Sequence, residues 1–348
     1  MTPHPRLLGL STAVPEHVLV QDEVKAWARR LFNGRNADIE RLLPSFDNAG
    51  IKTRYSCVPL AWHEDGHGWV EKNRLYVEKA VDLLSRAAQD CLDSAGLDVD
   101  AVDAVIAVST SGFATPSLDV LVMERLGLRR DVIRLPVFGL GCAGGVLGLA
   151  RAAEMARVEP GRLVLLLVVE LCGLTFRHED VSKSNVIATV LFGDGAAAAL
   201  LSTTGDGPRI DRAGEHTWPN SLDVMGWNIE DDGFGVLFSR NIPSLVTREM
   251  PEVLAAYLAA HDMTLGDFDG FICHPGGAKV VAALEQVFGL EDGGLVHARS
   301  VLRDYGNMSS ATVMFVLERT VADGRSGRYL MSALGPGFTV GFLTLEIP

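Results

Sequence analysis

The chain has 348 residues, 48% of them hydrophobic and 22% charged, with a net charge of −13. That length can bury a large core, in one big domain or two fused halves, and the composition is globular and not disordered. The acidic balance argues against nucleic acid or an anionic membrane as the main partner, while a few local Lys and Arg can still hold an anionic ligand.

The five cysteines (Cys57, Cys91, Cys142, Cys172, Cys273) are odd in number and show no Cys-x-x-Cys spacing, so neither a disulfide framework nor a metal site is expected. The longest aliphatic run, Leu163 to Val169, is far below the roughly 18 residues of a membrane span. Pro3, His4, Pro5 and Arg6 offer no signal-peptide apolar core, and a reducing cytosol is the expected home.

In chain order, Trp62 to Arg74 reads as a surface loop; its His63, Glu64, Asp65 and His67 fit no metal-ligand template. Leu83 to Leu97 has amphipathic helical spacing, and the strand Ala104 to Val108 runs into the small polar loop Ser109-Thr110-Ser111-Gly112. The stretch Val132 to Phe138, broken only by Arg134, leads into Gly141-Cys142-Ala143-Gly144-Gly145 and a helical pattern from Val146 to Val158. A strand follows at Leu163 to Val169, then a glycine-turn strand at Leu191-Phe192-Gly193-Asp194-Gly195.

The second half repeats this order. A helix at Val253 to His261 and a strand at Phe268 to Cys273 end in His274-Pro275-Gly276-Gly277. Tyr305-Gly306-Asn307-Met308-Ser309-Ser310 precedes another helix, followed by a strand at Tyr329 to Leu334 and the turn Gly335-Pro336-Gly337-Phe338. The repeat predicts a duplicated α/β unit with mixed sheets and helices buried between them. Val146 to Met155, apolar or small nearly all round, suits such a helix. The halves are taken as 1–205, carrying the cysteine, and 206–348, carrying the histidine and asparagine.

Cys142, His274 and Asn307 each stand at an element end with small residues around them, which points to acyl transfer through a thioester. A lone apolar-flanked cysteine is more often an inert core residue; the matching contexts of His274 and Asn307 make this one a candidate nucleophile. Unpaired N–H groups at the helix start favour its thiolate, and His274 is expected to form an ion pair with it. His274 and Asn307 together can donate to a thioester carbonyl oxygen that becomes anionic. Asparagine donates at every pH; the helix cap that is its bland alternative is already offered by Ser309 or Ser310. Cys273 should face the opposite side of its strand, in the core.

Five motifs together resemble those of the type III polyketide synthases, the chalcone-synthase-like branch of the thiolase-fold superfamily. They are Gly-Cys-Ala-Gly-Gly at Cys142, Leu-Phe-Gly-Asp-Gly-Ala-Ala-Ala at Leu191 to Ala198, His-Pro-Gly-Gly at His274, Gly-Asn-Met-Ser-Ser-Ala-Thr-Val at Gly306 to Val313, and Gly-Pro-Gly-Phe-Thr-Val at Gly335 to Val340. They keep the family's order across most of the chain. Sister families fit less well. Ketoacyl-ACP synthase III enzymes carry their histidine in Pro-His-Gln-Ala-Asn, which is absent, and biosynthetic thiolases need a second cysteine near the C-terminus. Chain-length-factor relatives lack the nucleophile.

The resemblance implies an α/β thiolase-like fold, with duplicated halves in a five-layer αβαβα sandwich, and a homodimer. Thr115 stands where plant enzymes place a methionine across the dimer interface. It also implies an acyl-CoA starter on Cys142, repeated decarboxylative condensation with malonyl-CoA, and closure to a pyrone or resorcinol ring. CoA thioesters are then substrates, with no metal or redox cofactor. Phe192 becomes an aromatic gate, with a second gate position at Val236, or at Phe234 or Phe238 if the alignment slips. Thr110, Ser111, Cys172, Thr175 and Ser309 match cavity-lining positions. Thr110 replaces the second cavity cysteine of tetrahydroxynaphthalene synthases, which points away from that product. Small residues there, with Val236, imply room for a long aliphatic starter, as in alkylpyrone and alkylresorcinol synthases. Lys52 and Arg54 match basic residues at the mouth of the CoA tunnel, with an ordinary solvated pair as the alternative. Two other functions fit the fold: a single-condensation ketoacyl synthase and a non-catalytic acyl-binding partner.

Overall fold

Val164–Leu171 and Asp194–Ser202 are buried along their whole length. Strands with no polar face need cover on both sides, so layers must lie above and below them. The computed structural model, which describes residues 4–36 and 38–348, supplies those layers.

After β1 (Arg6–Ala13), β2 (His17–Val20) pairs with β3 (Thr53–Ser56) outside the main sheet. The strands β4 (Ala104–Val108), β5 (Ile133–Val137), β6 (Val164–Leu171) and β7 (Asp194–Ser202) then complete a sheet with the order β5-β4-β6-β7-β1. The second half opens with β8 (Arg209–Thr217) and the hairpin β9 (Met225–Glu230) and β10 (Gly233–Phe238). Its sheet adds β11 (Gly270–Cys273), β12 (Gly327–Gly335) and β13 (Thr339–Ile347), in the order β11-β12-β13-β8. Matched by position, β1, β4, β6 and β7 correspond to β8, β11, β12 and β13. The pairing senses of these matched strands agree as well: β4 is parallel to β6 as β11 is to β12, and β6-β7-β1 is antiparallel throughout as β12-β13-β8 is. The counterpart of β5 is missing among the described residues. One residue pair, Arg6 with Arg209, joins the halves into a nine-stranded whole.

Between the sheets lie the helices Gly144–Val158 and Thr312–Ala322, both buried on nearly every side. Trp69–Ala95 and Leu118–Leu126 cover the outer face of the first sheet. Ile242–Ala259 and Ala278–Val287 cover the second, where Tyr257 stacks on Phe342 at 4.9 Å and Phe271 on Phe288 at 4.4 Å. The result is the αβαβα sandwich.

Two local expectations need correction. The helix expected from Leu83 starts at Trp69, so Trp62 to Arg74 is not a surface loop and His63 is buried. The helix's first two turns bury only Lys72 and Tyr76, which hides their periodicity. Glu64 and His67 turn to Arg30 and Glu71, and no three metal-binding side chains converge among the described residues. Leu191 to Gly195 is not one strand: Leu191 ends a helix, Phe192 caps it, and β7 begins at Asp194. The Asp194 carboxylate fixes that boundary by accepting from the Cys57 and Gly173 amides at 2.9 and 2.7 Å. No helix among the described residues is long and apolar enough to cross a membrane.

Candidate active site

Two tight turns face each other where the central helices begin. Gly141–Ala143 precedes Gly144–Val158, and Ser309–Ala311 precedes Thr312–Ala322. Gly141 (φ +48°) and Ser309 (φ +47°) both adopt the left-handed region. At Gly141 space demands glycine as well, because a Cβ would lie 2.4 Å from Pro336 Cδ. Ser309 accepts the conformation despite its side chain, and its hydroxyl thereby receives the Cys142 thiol at 3.5 Å.

His274 follows directly on β11, its amide donating to the Ser332 carbonyl at 2.9 Å. Asn307 is held through a bridge with Phe192: its amide donates to Leu191 O at 2.8 Å, and Gly193 N donates to Asn307 O at 3.0 Å. The Asn307 side chain is clamped too. Its Oδ1 accepts from Ser309 N at 2.8 Å and its Nδ2 donates to Gly276 O at 3.1 Å, which leaves one N–H for a substrate. Cys142, His274 and Asn307 line a single small cavity, with Met225, Phe238, Ile242, Val280 and Leu284 in its otherwise apolar wall.

The apolar wall sets the electrostatics. Burial pushes the Cys142 thiol up to about 12; the Ser309 hydrogen bond opposes this and the nearby Glu170 charge adds to it. Burial alone pulls His274 down to about 3, and neither imidazole nitrogen has a hydrogen-bond partner among the described residues. Burial therefore works against the expected ion pair between Cys142 and His274, favouring the neutral form of each. Both partners sit where charge is poorly solvated.

A second small cavity has Phe192 in its wall. Cys172 and Thr175 belong to its wall, with Leu19, Val24, Leu60 and Phe176. Thr110 and Ser111 brace the backbone instead: their hydroxyls accept from Gly141 N at 3.1 Å and Leu171 N at 2.9 Å. Val236 is half-buried and absent from both walls; Phe238 lines the catalytic cavity, while Phe234 is buried against Trp69, Phe113 and Trp227. The ring that faces Phe192 is Trp227, 6.0 Å away, placed by the register that pairs it with Val236 across the hairpin.

Arg54 also departs from expectation. It is only 2% exposed, and its guanidinium donates to Thr189 O, Phe192 O and Gln21 Oε1, so it is not free to hold CoA phosphates. Lys52 is exposed. The exposed cations Arg41, Lys183 and Arg240 surround a wide surface depression that shares Phe238 with the catalytic cavity. None of the three stands out in the sequence.

Glu170 is the other residue that sequence reasoning missed. Fully buried at the end of β6, it accepts from Thr110 N at 3.1 Å and from Ser310 Oγ at 2.5 Å, and burial pushes its carboxyl up to about 7. One carboxylate at the end of an aliphatic run was a readable signal.

Comparison with known proteins agrees with this geometry. Residues 3–205 match the sequence model of the N-terminal domain of chalcone and stilbene synthases, and residues 209–347 that of their C-terminal domain. A putative chalcone synthase of Bacillus subtilis is 39% identical, over 96% of each chain. A 1,3,6,8-tetrahydroxynaphthalene synthase of Streptomyces peucetius is 35% identical over 97% of this chain and 92% of that one. The crystal structure of 1,3,6,8-tetrahydroxynaphthalene synthase from Streptomyces coelicolor, a bacterial type III polyketide synthase, superposes with a TM-score of 0.93 at 28% identity, covering 98% of this chain and 99% of that one. The fold is thiolase-like, and the chain belongs to the chalcone and stilbene synthase family of type III polyketide synthases.

Proposed function

We propose that the enzyme loads an acyl-CoA starter on Cys142, extends it with malonyl-CoA, and closes the product to an alkylpyrone or alkylresorcinol. The observation that carries this reading is the convergence of Cys142, His274 and Asn307 in one apolar-walled cavity. Cys142 attacks the starter carbonyl, its proton passing through His274 to the departing CoA thiolate. Malonyl-CoA then loses its carboxylate as carbon dioxide, and the electron pair left behind forms an enolate. His274 and the free N–H of Asn307 donate to the enolate oxygen; each such donor contributes about 100-fold or more in rate. The dry wall assists, because a charged carboxylate becomes neutral carbon dioxide there. The enolate carbon attacks the Cys142 thioester and expels the thiolate, giving a chain two carbons longer. Every step is redox-neutral, so CoA thioesters suffice without a cofactor.

The second cavity, apolar over most of its wall and lined by Phe192, suits the alkyl tail of the starter. Arg41, Lys183 and Arg240, with Lys52 nearby in function, would hold the CoA phosphates. The exposed apolar side chains Phe113, Ile133 and Phe138, beside exposed Thr115 and the free edge of β5, suit contact with a second copy. A reducing cytosol suits the five buried free thiols.

The test is a ladder of acyl-CoA starters, acetyl to stearoyl, incubated with malonyl-CoA and read by mass spectrometry. Triketide or tetraketide pyrones or resorcinols from long starters are expected. One condensation only, or extension of malonyl units without a starter, would overturn the product assignment. No extension with any CoA starter would overturn delivery by CoA.

A further inference from the structure

The hairpin β9–β10 forms a two-stranded sheet of its own and pairs with no strand of the nine-stranded whole. An isolated hairpin is marginally stable in water, so this one is held by what it packs against. Its register places Met225 opposite Phe238, Trp227 opposite Val236 and Ile229 opposite Phe234, which puts six apolar side chains on one face. At the base of the hairpin, Met225 and Phe238 both line the catalytic cavity. Further along, Phe234 meets the Trp69 ring edge-on at 5.0 Å.

The tip is held by charge. Its turn is Asp231-Asp232, between Glu230 and Gly233. Arg177 Nε donates to Asp232 Oδ1 at 2.6 Å, and the same guanidinium donates to Asp180 Oδ2 at 3.1 Å. Lys72 Nζ donates to Phe176 O at 2.6 Å and reaches the Asp232 carbonyl at 3.5 Å. Asn185 fixes the segment that carries Arg177, its Nδ2 donating to Arg177 O at 2.8 Å and to Asp180 O at 2.7 Å. Arg177 also lies along the hairpin, for a Cβ at Gly235 would come within 3.3 Å of its Nη1. The Arg177 side chain is 18% exposed and that of Asp232 40%, so water reaches the pair and the pair can part and re-form.

We propose that Arg177 is a positioning residue: through Asp232 it clasps the hairpin against the body of the protein, and the clasped hairpin keeps Met225 and Phe238 in the wall beside Cys142, closing the catalytic cavity to water while an acyl chain is bound. The need for a clasp is chemical. Attack of the enolate on the Cys142 thioester extends the chain. Attack of water on the same carbonyl breaks the C–S bond, releases the free acid and returns a proton to the thiolate. A partly exposed ion pair favours the closed hairpin by about fivefold, strong enough to bias the two fates and weak enough to part for each CoA thioester. The proposal deepens the polyketide-synthase reading and rests on it for the acyl chain at Cys142.

The experiment compares wild type with Asp232→Asn, which keeps the shape of the side chain and removes its charge, and with Asp232→Glu, which keeps the charge. Asp231→Asn is the control, removing the same charge one residue away at an exposed side chain. The first readout needs no substrate: the rate at which iodoacetamide alkylates Cys142, followed by mass mapping of all five cysteines. Asp232→Asn should raise it by about fivefold, with Asp232→Glu close to wild type and Asp231→Asn equal to it. The second readout is the ratio of free octanoic acid to extended product from octanoyl-CoA and malonyl-CoA, which should rise by about the same factor in Asp232→Asn alone. A purely structural role would not move that ratio in a protein that melts as wild type does. An unchanged alkylation rate, an unchanged acid-to-product ratio where extension occurs, or an equal rise in Asp231→Asn overturns the proposal. If no starter is extended, the synthase reading falls, while faster alkylation in Asp232→Asn still upholds the clasp and equal alkylation sinks it.

Discussion

Replacing Gly145 with alanine should separate the two central helices and misalign the site. A Cβ at this position would lie 2.4 Å from the backbone oxygen of Ser310 and 2.6 Å from Val313 Cγ1. Carbon and carbonyl oxygen approach comfortably at about 3.3 Å, so the helices must part by about 1 Å. Val313 can turn away; a backbone carbonyl cannot. Overpacking of this kind costs about 1–3 kcal/mol, a drop in Tm of about 1–4 °C for a chain of this size. Ser309, one residue before the clash, receives the Cys142 thiol at 3.5 Å, so the same shift moves the nucleophile against its partners. A misplacement near 1 Å costs about 100-fold in turnover. Thermal melts and CoA-release kinetics measure both effects. Gly66→Ala serves as the control: nothing lies within 4 Å of its Cβ, and it should melt within about 0.5 kcal/mol of wild type. Wild-type melting and turnover in Gly145→Ala would show that helix contact does not set the catalytic geometry.

Three further outcomes are expected. Combined Arg41→Ala, Lys183→Ala and Arg240→Ala should raise KM for malonyl-CoA by about tenfold at low salt, less at high salt, with kcat unchanged. A malonyl thioester lacking the nucleotide should be unaffected, and equal loss on both substrates would remove these cations from CoA binding. Trp227→Ala should open the passage beside Phe192 and raise kcat/KM for the longest starter, relative to octanoyl-CoA, by about tenfold; an unchanged length profile would end its role as a gate. His63 and His274 are both held near 3 against an ordinary value of 6.5, so the unfolded chain binds more protons between those limits. Their stabilisation is complete above about pH 6.5 and drains as pH falls, by about 1.4 kcal/mol per pH unit for each. His63→Phe should therefore lose urea resistance less steeply than wild type between pH 6.5 and 4.5, and parallel profiles would show that His63 is not buried neutral.

What the sequence made legible is local. Cys142, His274 and Asn307 each sit in a glycine-marked turn at an element end, so a few neighbouring residues reveal their surroundings. The order of strands and helices around them repeats, and the repeat carries the fold. What was hidden depends on contacts between distant segments. Arg54 looks like one of two cations on a short strand, and only Gln21, Thr189 and Phe192, brought from two other segments, bury it. Trp227 faces Phe192 through the register of a hairpin, and a one-residue slip would turn it away. The Trp69–Ala95 helix was truncated in expectation because its first turns lie over few buried partners.

The duplication also explains how Cys142, the proposed nucleophile, is held. In each half a short turn leads into a central helix: Gly141-Cys142-Ala143 in the first, Ser309-Ser310-Ala311 in the second. The middle residue of one turn is the thiol; the middle residue of the other is Ser310, whose hydroxyl donates to Glu170 of the first half. Glu170 in turn accepts from Thr110 N, and the Thr110 hydroxyl accepts from Gly141 N, one residue before the thiol. The chain of bonds runs from the second turn, through the first sheet, back to the first turn. Two copies of one structural unit thus have different tasks, because a reacting centre needs a nucleophile on one side and fixed donors on the other. A thiol in both turns would take from buried Glu170 its strong hydroxyl donor and leave it the Thr110 amide, a loss of about 1–3 kcal/mol. The asymmetry between Cys142 and Ser310 is what lets a symmetric scaffold hold an asymmetric reaction.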